Sequence, residues 1–283
     1  MLVRLIALPF ALMALVILYL AWEVDDSYGF YLVIPGIALA VLYSLSPQIN
    51  WWWYLKHPPA LDKPLVQLLE NFHPFYRQLL PGQQERFRNR MALFMEGTDF
   101  MSQSEKEIPE DVKGAIAMQA VHVGFGQSEF LFSKFEKVVV YPGAFPSPQH
   151  PRHFHASEIF EEDGVVLLSA QHLMQAVAHP GRGYNVGLHE YAKVFMLQYP
   201  EYRYPVFTEQ QWPELEKIGK LTREQIGQWI GLPEFDIAAV AIHHFLNHPA
   251  AFFEFFPEEF YRFRDIFHFD PLKPDSIQLP VVA

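Results

Sequence analysis

The chain of 283 residues contains no cysteine. Disulfides and thiolate metal sites are therefore excluded. Positive charge is also scarce. Lys and Arg number 21 against 32 Asp and Glu, which gives a formal net charge of −11 and a pI near 5.6. No basic run offsets this average, so direct nucleic-acid binding is not expected. Repeats and low-complexity tracts are missing too. What is abundant is apolar: 51% of residues are hydrophobic, 16% are aromatic, and Phe alone accounts for 26. That is rich for a soluble domain and points to membrane contact. The length allows one or two domains with a sizeable core.

Two apolar runs stand at the start, Leu5 to Trp22 and Tyr28 to Leu45. Each approaches the roughly 20 residues that a helix needs to cross a bilayer core. A signal peptide is the rival reading of the first run, because Arg4 precedes it. A hairpin is preferred: no small-residue cleavage site follows, and a second span comes at once. Pro35 is expected to kink the second helix. Arg4 precedes the first span, Lys56 and Lys63 follow the second, and the linker holds Glu23, Asp25 and Asp26. The positive-inside rule then places both ends in the cytoplasm of a bacterial-type inner membrane. Trp51, Trp52, Trp53 and Tyr54 read as an interfacial belt, with packing on the soluble domain as the alternative. The expected division is a hairpin over 1–50 and a globular domain over 51–283.

Within the globular part, residues 65–79, 83–97 and 111–126 have helical character, and 137–145 and 164–170 read as strands. Residues 181–200 and 233–249 read as further helices, the latter flanked by Pro233 and Pro249. Strands and helices do not alternate regularly, so α+β is expected rather than a doubly wound sheet. The aromatic run from Phe252 to Phe263 is open to membrane contact, core packing or lid formation. His150, His153 and His155 lie on a proline-rich stretch and read as a solvated loop rather than a metal site. His122 reads as a core histidine.

The helix candidate at 181–200 contains His189-Glu190. In a zinc peptidase helix a second histidine at i+4 shares the face of the first, and the glutamate polarises the attacking water. Position 193 is Lys here. A His-Glu pair alone is weak evidence, but its neighbourhood is specific. The stretch "GYNVGLHEYAK" resembles the active helix of the Mlc titration factor A (MtfA) family of zinc-dependent peptidases, which typically reads G-x-N-V-V-x-H-E-F-A-H. The likeness extends to Ile116–Ala120, Val140–Phe145, Gly164–Ser169, "AAVAIHHFLNHP" and Asp270-Pro271.

The resemblance implies a zincin-like, gluzincin-related domain. It maps His189 to the first zinc ligand and Glu190 to the general base, and puts Lys193 where the second histidine belongs. Asp236 falls on the third ligand, with Glu234 as the alternative. His243 replaces a downstream glutamate, Met196 replaces an aspartate, and Trp229 stands near the place of a transition-state tyrosine. Tyr184 and Asn185 are expected to set up the helix. A lysine ammonium carries three donors and no lone pair. Lys193 is therefore expected to sit between Glu190 and Asp236 as a substitute cation, with zinc bound weakly or not at all. The function this implies is a membrane-anchored, catalytically degenerate peptidase relative that binds a protein or peptide partner. The family's name suggests a transcriptional regulator as that partner. The alternatives are an active zinc peptidase with an altered ligand set, and a structural membrane role.

Overall fold

A computed structural model describes residues 2–104 and 106–276, and the chain divides into two compact units, Met1–Pro59 and Ala60–Ala283. Helix α1 (Leu2–Glu23) opens the first unit. Its 22 residues span about 33 Å at 1.5 Å per residue. Leu5, Ile6, Leu15 and Leu18 point outward on different sides, and a helix that is apolar all round is suited to lipid rather than water. A 3-10 segment (Asp26–Leu32) follows, capped by Asp25, whose Oδ1 accepts the Ser27 N–H at 2.8 Å. Helices α2 (Val33–Ser44) and α3 (Ser46–Lys56) complete the unit, and both pack against α1. Leu2–Glu23 and Asp26–Ser44 are long and apolar enough to cross a membrane.

The expected single helix over 28–45 is thus two pieces. Pro35 does not kink a long helix but sits in the first turn of α2, where its missing N–H costs no intrahelical bond. The aromatic cluster Trp51–Tyr54 lies on α3, so the first unit extends beyond residue 50. Lys56 Nζ sits 4.4 Å from the Trp52 ring.

The second unit is α+β. Its elements run α4 (Lys63–Phe72), α5 (Pro74–Gln78), α6 (Pro81–Gly97), β1 (Asp99–Ser102), α7 (Glu110–Val123), β2 (Lys137–Tyr141), β3 (Ser157–Phe160) and β4 (Val165–Ser169). They continue with α8 (Ala170–Ala178), α9 (Val186–Gln198), α10 (Trp212–Gly219), α11 (Arg223–Ile230), α12 (Ile237–Asn247), α13 (Pro249–Phe255) and α14 (Pro257–Phe267). The sheet order is β1-β2-β4-β3. The pairs β1/β2 and β2/β4 are parallel, and β3 runs antiparallel on the edge, with Ser157 opposite Leu168.

Small residues explain why α7 is central. Gly114, Ala115, Ala117 and Ala120 let α4, α6, α8 and α9 all approach it, and every residue from Gly114 to Val123 is buried. Helix α9 in turn packs on α7, α8, α12 and the edge strand β3. The aromatic run near the C-terminus closes the core rather than meeting a membrane. Phe252, Phe260 and Phe263 are fully buried around Phe245.

Candidate functional site

Helix α9 starts where the sequence supplies a cap. The Asn185 side-chain oxygen accepts the Leu188 N–H at 3.0 Å, which satisfies one of the free donors of the first turn. Its Nδ2 donates to Gln119 of α7 at 2.9 Å, and its backbone N–H donates to His243 Nε2 of α12 at 3.3 Å. One residue therefore fixes the start of α9 against two neighbours. Gly187 lets the helix come this close. A Cβ there would lie 2.6 Å from Leu173 Cδ1 and 3.1 Å from Gln119 Cγ.

His189 and Glu190 follow in the first turns of α9, both buried. His189 Nδ1 shares a 2.7 Å hydrogen bond with the Tyr184 hydroxyl. Tyr184 in turn stacks on His243 at 4.3 Å between ring centroids. Burial holds the His189 imidazole well below the usual histidine range, and the nearby Lys193 ammonium and His244 add to the shift, so the ring is neutral. Burial also pushes the Tyr184 hydroxyl far up, helped by the charges of Glu190 and Asp236.

The Glu190 carboxylate has both oxygens engaged. Oε2 accepts from Ser157 Oγ of strand β3 at 2.7 Å, and Oε1 accepts from Lys193 Nζ at 2.7 Å. The Lys193 side chain is 29% exposed while that of Glu190 is 1% exposed. The pair therefore stands with its carboxylate inside and its ammonium at an opening.

Asp236 is placed differently from the expectation. It is the N-cap of α12, exposed, with Oδ1 accepting the N–H groups of Ala238 at 2.8 Å and Ala239 at 3.4 Å. Among the described residues the ion pair of Lys193 is with Glu190, and none forms with Asp236. The expected arrangement of two carboxylates around one ammonium is a single pair, because the free amides of the α12 N-terminus take the second carboxylate. Glu234 lies exposed two residues before that cap. His243, although a full helical stretch beyond Asp236, is brought to the site through Asn185 and Tyr184. Trp229 covers Gly183, where a Cβ would meet its ring at 2.3 Å.

A zincin metal needs three protein donors and a water. Here His189 offers one imidazole, the Lys193 ammonium offers no lone pair, and Asp236 is occupied in capping. Among the described residues no set of three His, Asp or Glu side chains surrounds a common point around His189. The residues present do not fit a zinc ion of the expected type at this position.

Ser157 was not marked by any motif. It lies 33 residues before Glu190 and meets it only because β3 is the edge strand against α9. The histidine-rich stretch also differs from a solvated loop. His153 is exposed, but His155 is fully buried, with Nε2 3.2 Å from Glu158 Oε2.

The family model described as glucose-regulated metallopeptidase M90 matches residues 50–196, a range that takes in Ser157, His189, Glu190 and Lys193 and stops before α12. A protein of Synechocystis sp. described as uncharacterized is 25% identical over 175 residues, covering 56% of this chain and 63% of that protein. The chain thus spans less than two thirds of that relative's length. With the match covering more than half of the sequence, and with the His-Glu pair on a helix packed against an edge strand, the chain belongs to the M90 family of metallopeptidases.

Proposed function

We propose that this protein is a membrane-anchored member of the family in which the catalytic centre has become a binding site. It holds a protein or peptide partner and does not cleave it. The observation that carries this reading is the Lys193–Glu190 ion pair at 2.7 Å. The carboxylate that would polarise water in a peptidase is neutralised by a cation that has replaced a ligand, and its second oxygen is taken by Ser157. The two apolar N-terminal helices supply the anchor. The charge distribution of Arg4, Lys56 and Lys63 supports a cytoplasmic location for the globular unit at the inner membrane. The partner class includes a transcriptional regulator, on the strength of the resemblance to the Mlc titration factor A family.

The test is hydrolysis of unfolded polypeptide by the full chain in detergent, with and without added zinc. No cleavage is expected. Zinc-dependent cleavage that disappears in Glu190→Gln would refute the binding reading and establish an altered-ligand peptidase. One observation favours that second reading. His189 Nε2 makes no hydrogen bond among the described residues while Nδ1 is held by Tyr184, which is the posture of a metal-ligating imidazole.

A further inference from the structure

A cavity of about 300 Å³ lies beside the start of α9, lined in part by Gly183 and Asn185 and by none of His189, Glu190 and Lys193. Its size is at the lower end of the range for small-molecule pockets. The chain carries 32 Asp and Glu against 21 Lys and Arg, yet none of the described residues lining this cavity is acidic. The polar side chains there are imidazoles, amides and the Arg77 guanidinium.

The hydrogen-bond roles of these groups follow from their partners. The Leu188 N–H fixes the Asn185 side-chain oxygen as an acceptor, so it is Asn185 Nδ2 that donates to Gln119 Oε1. This bond takes the Gln119 oxygen and leaves the Gln119 Nε2 donors without a protein acceptor among the described residues. His73 Nδ1 accepts the Tyr76 N–H at 3.2 Å. Burial lowers the pKa of that ring to about 4, so it is neutral near pH 7 and its one proton sits on Nε2 as a further donor. His122 stacks on Phe75 at 4.4 Å between ring centroids, and its Nε2 is buried with no hydrogen-bond partner among the described residues. Its tautomer can place a third N–H there. Arg77 is exposed at the rim and makes no ion pair among the described residues. A buried donor without an acceptor is costly, and these donors line one cavity.

We propose that this cavity binds a small monocarboxylate with an apolar body. An ionised carboxylate is an acceptor-only group, and it matches a lining whose unmatched groups are donors. Hydrogen bonds to an ionised acceptor are also the stronger kind. One guanidinium at the rim balances one negative charge. A phosphate dianion fits less well, because the buried imidazoles are neutral and supply no second positive charge to offset its desolvation. Phe75, Met118, Val177 and Leu246 give the rest of the lining its apolar character and contact the body of the ligand.

The experiment is ligand-observed NMR titration of the full chain in detergent. The probes are benzoate and hexanoate, each compared with its own amide, and inorganic phosphate. At least one of the two carboxylates should bind saturably, one per chain, and about tenfold more tightly than its amide. Arg77→Gln changes an exposed side chain and keeps the fold, and it should reduce that preference by about threefold to fivefold. Ala176→Leu places bulk on the buried lining and should abolish binding of acid and amide alike, with the melt showing that the variant is folded. Lys193→Gln should leave binding unchanged. No saturable binding by either carboxylate would overturn the proposal, as would equal affinity for acid and amide. Phosphate bound more tightly than both carboxylates would overturn the monocarboxylate assignment. Binding unaltered in both Arg77→Gln and Ala176→Leu, as partition into detergent would be, also refutes it. Binding lost in Lys193→Gln and kept in Arg77→Gln would move the carboxylate to the Glu190–Lys193 opening and refute this site.

Discussion

Replacing Lys193 with alanine tests the central reading directly. The carboxylate of Glu190 is 1% exposed, and without the ammonium its remaining donor among the described residues is Ser157 Oγ at 2.7 Å. Breaking a fully buried pair from one side costs about 3–5 kcal/mol, whereas an exposed pair contributes about 0–1 kcal/mol. Lys193 is 29% exposed, so water can enter the space it leaves and solvate part of the orphaned charge. The loss should match that of a hydrogen bond to a charged group, about 1.5–3 kcal/mol. For a unit of this size that corresponds to a fall in Tm of roughly 3–12 °C. The assay is thermal unfolding of the full chain in detergent, followed by near-ultraviolet circular dichroism. Because Glu190 is the partner, the compensating change is Glu190→Gln, which keeps the shape and removes the charge. The double variant should be more stable than additivity predicts by about 1–2 kcal/mol. A neutral Lys193→Ala, or a double variant that is merely additive, would show that the ion pair does not hold the site together.

Tyr184→Phe should remove the 2.7 Å bond to His189 Nδ1 and leave a buried nitrogen unsatisfied. A loss of about 1–3 kcal/mol is expected in the same melt, and an unchanged Tm would argue against its positioning role. Stability should also fall with acid from about pH 6.5 downward. Burial lowers His73 to about 4 and His244 to about 3, and holds His189 and His243 well below 6.5. The unfolded chain therefore takes up protons that the folded one refuses, and stability present above 6.5 is lost as pH drops toward the folded values. Each such histidine steepens the slope by at most about 1.4 kcal/mol per pH unit; a flat profile between pH 6.5 and 5 would contradict the neutral cluster. Reporter fusions after Pro59 should behave as cytoplasmic, and a tag between Asp25 and Asp26 should be reachable from outside. The opposite pattern would reverse the proposed orientation.

The local features were legible in the sequence because they depend on short-range chemistry. Leu2–Glu23 reads as an apolar helix because no charged residue interrupts it from Leu5 to Trp22. Asn185 caps α9, and the His-Glu pair with Lys193 at i+3 lies on one helix, as the spacing required. The α+β class followed from the irregular order of strands and helices. Other features depended on which groups compete for a partner once the chain is folded. Asp236 had two possible uses, a distant ammonium or the adjacent free amides of its own helix, and the amides won by proximity. Ser157 reached Glu190, and His155 reached Glu158, because β3 took the sheet edge beside α9 and presented alternate residues to its two faces. Spacing along a chain sets which side chains share a face. Which faces then meet is decided by the packing of small residues such as Gly187 and by strand order, and neither leaves a signature at the residues it brings together.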